Sequence, residues 1–92
     1  MGAQGTTTID FGSGTGKQTA SIAVTGQGTI LSGSQCEAWI MYTSSASHNE
    51  TEHLMVPMNL RCGTVIAGTG FTIYAASEWS LTGTFTLQWV WN

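Results

Sequence analysis

Thr84-Phe85-Thr86-Leu87-Gln88-Trp89-Val90-Trp91 alternates large apolar and mainly polar residues over its whole length. Successive side chains of a strand point to opposite faces of the sheet, so Phe85, Leu87, Trp89 and Trp91 share one face, with Thr84, Thr86, Gln88 and Val90 on the other. The run predicts a half-buried strand whose aromatic row faces a core. Trp91 is also the penultimate residue, where chain ends tend to fray. A large aromatic there suggests a terminus pinned into a sheet or an interface.

The same period of two recurs upstream. Thr6 to Phe11 reads as a strand, and Thr19 to Thr25 sets Ala20, Ile22 and Val24 against Thr19, Ser21 and Ala23. A short Thr29-Ile30-Leu31 follows. Gln35 to Thr43 then aligns Cys36, Ala38, Ile40 and Tyr42 opposite Glu37, Trp39 and Met41. From Glu52, alternation places Leu54, Val56, Met58, Leu60 and Cys62 on one face. Pro57 in that run requires an edge position or a bulge, because proline has no N–H for the ladder. Val65 and Ile66 fall between turns, and Phe71 to Ala75 gives another strand. Gly12 to Gly16, Ser44 to Thr51 and Ser77 to Gly83 read as loops, the last carrying Trp79 and Leu81. No stretch has helical periodicity. Six or seven short strands at intervals near ten residues, with no break in composition, predict one all-β domain over residues 1–92, a small antiparallel β-sandwich or barrel.

Composition narrows the function classes. Charged residues make up 8% of the chain, against roughly 25% in an average globular domain. With 41% hydrophobic residues and a net charge of −3, the chain falls outside the disordered class, which combines low hydrophobicity with high charge. An uncharged surface gives little protection against association, so copies of the chain or a partner are expected to cover part of it. Two basic residues, Lys17 and Arg61, cannot form a phosphate-neutralising patch, and nucleic-acid binding is not expected. No apolar run is long enough to span a bilayer, and the start has no signal-peptide pattern, so a soluble, unexported protein is expected. Met1 to Thr6 loosely fits a myristoylation pattern but reads better as a small flexible start.

Chemistry-bearing residues are few. The carboxylates Asp10, Glu37, Glu50, Glu52 and Glu78 form no pair on one strand face beside a nucleophile, so no catalysis and no cofactor are expected. Gly12 to Lys17 fails as a phosphate loop: Phe11 stands where the first glycine belongs, Gln18 where a hydroxyl belongs, and no helix follows. His48, Glu50, Glu52 and His53 are the one cluster of potential metal ligands. Zinc ligands normally come from two well-separated pairs, so a solvated acidic loop, or a pH-sensitive contact between subunits, fits better. Cys36 and Cys62 both fall on apolar strand faces, as buried thiols or one bridge. Trp39, opposite the apolar row of its strand, and Trp79, in a loop, join Trp91 as candidate interface anchors. Trp39 and Trp79 are equally suited to stacking on a sugar.

Asp10-Phe11-Gly12, Val24 to Gln27, Glu37-Ala38-Trp39, Val65 to Ala75 and Gly83 to Asn92 together resemble a group of small, uncharacterised bacteriophage proteins over most of the chain. That resemblance implies a role in the virion or its assembly, with the host cytoplasm as the site of assembly. Asp10-Phe11-Gly12, Thr69-Gly70-Phe71 and Trp89-Val90-Trp91 are also similar to H-type lectins, trimeric six-stranded β-sandwiches that bind N-acetylgalactosamine. The likeness lies in structural residues and includes none of that family's sugar-contacting side chains. It implies the fold and a homotrimer. The expected protein is therefore an oligomeric structural component of a phage particle, a capsid decoration (cement) or fibre protein that packs against capsid or fibre proteins. The alternative is a glycan-binding module for host recognition.

Overall fold

Alternating side chains make six strands here, and one capped turn makes a short helix. The computed structural model describes residues 2–41, 43–45 and 48–92. In chain order these are β1 (Ala3–Asp10), β2 (Lys17–Val24), β3 (Cys36–Ile40), α1 (Glu50–Met55), β4 (Met58–Ile66), β5 (Gly70–Leu81) and β6 (Thr84–Trp91). Two three-stranded antiparallel sheets form, ordered β1-β6-β3 and β2-β5-β4, and together they make a small all-β sandwich.

The central strands supply the core. Along β6, Phe85, Leu87, Trp89 and Trp91 are all buried, and from β5 come Phe71, Ile73, Ala75 and Leu81. Phe71 and Trp89 meet edge to face across the two sheets, 5.7 Å between ring centroids, and Phe11 meets Phe85 in the same manner at 6.0 Å. Offset and edge-on packing suits the ring quadrupoles better than a face-to-face sandwich. Close fit dictates small residues beside the large rings. A Cβ on Gly5 would lie 2.6 Å from the Trp89 indole, and one on Gly70 would collide with the Val24 carbonyl.

Several sequence expectations change. The run from Glu52, read as a strand, is helix α1 as far as Met55, and strand geometry begins only at Met58. A local hydrogen-bond pattern overrides the apolar alternation. Asn49 caps the helix by accepting from the Glu52 N–H at 2.9 Å, while the Glu52 carboxylate accepts from the Asn49 N–H at 2.8 Å. Val56 ends it in extended geometry, as a residue before proline prefers. Ser77 to Leu81, read as loop, continues β5, and Val65 and Ile66 end β4. Thr29 to Leu31 is a turn that buries Ile30, not a strand. Pro57, expected inside a strand at an edge or a bulge, instead precedes β4; β4 is an edge strand, and its register shift lies between Gly63 and Ile66. Met1, Tyr42, Ala46 and Ser47 lie outside the described residues, and Ala3 to Thr6, expected as part of a small flexible start, belong to strand β1. No helix among the described residues is long and apolar enough to cross a membrane.

Candidate functional site

Helix α1 closes one end of the sandwich through two histidines. His53 is 1% exposed, the single buried polar residue among the described residues. Its Nε2 accepts the Thr86 N–H at 2.9 Å, so that nitrogen is unprotonated and Nδ1 donates to the Asn49 carbonyl at 2.9 Å. The first of these bonds replaces a sheet rung. Strand β3 ends at Ile40, Met41 still donates to the Thr86 carbonyl, and the imidazole takes the Thr86 N–H that a longer β3 would have accepted. His48 lies flat on Phe85, 4.0 Å between centroids and 12° between planes, with Nε2 on the Thr82 carbonyl. Its Nδ1 is 3.3 Å from Glu52 Oε2, without hydrogen-bond alignment. The Asn49 N–H first, and then the His48 imidazole, hold the Glu52 carboxyl below its usual range.

Beside these groups lies a cleft of about 290 Å³ bordered by Glu52, Met55, Val56, Trp79, Leu81 and Phe85. Met55 and Trp79 are 67% and 57% exposed at its rim. A second, larger depression of about 600 Å³ lies on the solvent face of the β2-β5-β4 sheet, against Ser21, Asn59, Arg61 and Tyr74. The end cleft has the more distinctive chemistry, an apolar floor with a carboxylate and an imidazole at one side. Nothing there assembles a metal centre: among the described residues no three His, Cys, Asp or Glu side chains converge suitably. His53 has both ring nitrogens engaged within the fold.

The three tryptophans singled out as anchors separate. Trp39 on β3 is exposed, as is Trp79, which belongs to strand β5 and not to a loop. Trp91 corrects the expectation of an interface anchor. It is 3% exposed within this protomer, and its indole N–H donates to Gln27 Oε1 at 2.9 Å. Main-chain bonds between Gln35 and Asn92, one in each direction, pin the terminus that could have frayed. Cys36 and Cys62 are free thiols brought together from the edge strands of the two sheets, close enough for each to perturb the other.

The four edge strands differ in how they discourage further pairing. Strand β3 has five residues and carries Glu37. Strand β2 opens on Lys17 with an irregular register to Thr19, and β4 follows Pro57, carries Arg61 and shifts register before Ile66. Each of these features blunts an edge. Strand β1 pairs with β6 without interruption from Ala3 to Asp10, contains no proline, and bears no charge before Asp10.

Sequence reasoning missed Met55 and Val56 as cleft walls and His53 as a sheet rung. The available signal was Asn49 followed three residues later by Glu52, with Pro57 beyond, a capped-helix pattern. No protein-family profile, curated protein or solved structure matches this chain.

Proposed function

We propose that this protein is a structural protomer of a bacteriophage particle, a capsid decoration or fibre component that self-associates, as a trimer, and packs against particle proteins. The observation that carries self-association is β1: a long, regular outer edge, uncharged from Ala3 to Ile9, on a chain whose other three edges are blunted. An open ladder of main-chain donors and acceptors is a template for another strand. The sparse surface charge and the exposed Trp39, Met55 and Trp79 favour the same reading. Its assignment to a virion rests on the resemblance to small phage proteins.

Sedimentation at low micromolar concentration tests the association, with the double variant Thr6→Lys, Thr8→Lys as control. Both threonines are exposed on β1, so lysines there add gatekeeping charge without entering the core. A closed oligomer is expected for the native chain and a folded monomer for the variant. A native chain that stays monomeric, or a variant that assembles normally, overturns the reading of β1. Peptide mass spectrometry of purified particles encoding the chain tests the virion assignment.

Trp79 at the rim of the apolar cleft favours one second reading, a glycan-binding module for host recognition. Saturable binding in a glycan screen, abolished by Trp79→Ala with the fold intact, would select it.

A further inference from the structure

The two sheets of the sandwich have separate hydrogen-bonded ladders, one running β1-β6-β3 and the other β2-β5-β4. Apolar packing joins them. Cys36 opens β3 opposite Trp91, and Cys62 lies within β4 opposite Ile73. These are edge strands of different sheets on the same side of the sandwich. Both cysteines are packed against the core, and their thiols lie close enough for each to perturb the other.

From this juxtaposition we infer that Cys36 and Cys62 are a modification site, a dithiol that low-molecular-weight disulfides oxidise to a reversible cystine stapling the two sheets together. In the first step the Cys36 thiolate attacks one sulfur of oxidised glutathione and expels a glutathione thiolate, leaving a mixed disulfide. Cys62 gives up its proton, attacks the Cys36 sulfur and expels the second glutathione. The two protons lost by the protein end on the two glutathione thiols. The protein loses two electrons and two hydrogens, and one glutathione disulfide is reduced.

Burial raises both thiols, with Cys62 pushed up to about 12, so the reactive thiolates are scarce near neutrality and the exchange accelerates as pH rises. Cys36 is the less perturbed of the two and starts the reaction. The product closes the whole 36–62 segment, including α1, into a loop and restricts the unfolded chain. It responds to passage from a reducing to an oxidising compartment. None of this depends on whether the chain assembles.

The test treats the reduced, folded, full-length chain with oxidised glutathione over a pH series, then measures intact mass after alkylation of remaining thiols. The expected product is a single chain that has lost two hydrogens, takes up no alkylating agent and is restored by dithiothreitol. Its unfolding midpoint should rise by roughly 15 °C, from the loop-closure effect of a bridge of this span in a small domain. Cys36→Ala and Cys62→Ala should each stop at one glutathione adduct, which shows separately that either thiol is reachable in a folded chain. A doubly glutathionylated native chain, disulfide-linked dimers, a bridge that forms only in denaturant, or an oxidised product with a lowered midpoint would each overturn the inference.

Discussion

Strand β6 and the segment from Asn49 to Val56 meet at Phe85, yet they are held in place by opposite means. In β6 every second side chain is buried, and neighbouring strands pair with it on both sides. Its position follows from apolar area. The Asn49–Val56 segment buries little apolar surface, for Leu54 and Met55 are 68% and 67% exposed. It is held by polar contacts: the capping box, His53 as a surrogate rung on Thr86, and the His53 Nδ1 bond to the Asn49 carbonyl. A strand fixed by burial is insensitive to any one hydrogen bond, whereas a short helix fixed by three or four polar contacts depends on each.

The comparison is broken most severely by Trp89→Ala. Removing a large aromatic from a packed core costs about 3–5 kcal/mol, and Trp89 also shields Gly5 and meets Phe71. Urea unfolding should show most of the protein's stability lost. Trp91→Ala is expected to fall in the same class, because Trp91 is core in this protomer.

His53→Ala should do less global damage, about 1–3 kcal/mol, the range for leaving a buried donor without its partner. Its effect should be local. Amide exchange should accelerate at Thr86 and through α1 while Leu87 to Trp91 stay protected. A loss equal to that of Trp89→Ala would place the segment within the core in energetic terms.

The smallest effects belong to the capping box. Asn49→Ala should cost about 1 kcal/mol, with the helical signal reduced and the sheets intact. Acid acts on the same box. Glu52 has its folded value lowered beneath the ordinary 4.5, chiefly by the Asn49 N–H, so its contribution is complete above about that pH and is lost as pH falls through the lower folded value. Thermal unfolding between neutrality and pH 3 should reveal this acid loss in the native chain and a shallower dependence in Asn49→Ala. Identical profiles would show that the cap does not couple to Glu52.

What was legible in the sequence was whatever follows from period two. The all-β class, the buried rows of β6 and β5 and the half-buried row of β2 can be read residue by residue, because alternation reports directly which side of a strand faces apolar surroundings. The exposure of Trp39 was legible for the same reason. Helix α1 was not read, because Leu54, Val56 and Met58 imitate strand alternation, and only the spacing of Asn49 and Glu52 hinted otherwise. The tertiary structure decided everything that depends on residues far apart in sequence. It brought Gln27 to the Trp91 indole, making a core residue of an expected anchor, and it set His53 where β3 runs out. It also laid Cys36 against Cys62 across two sheets that share no main-chain ladder. Alternation fixes which face a side chain occupies, but partners across a sandwich are chosen by how the sheets stack, and that is set by the packing of all their side chains together.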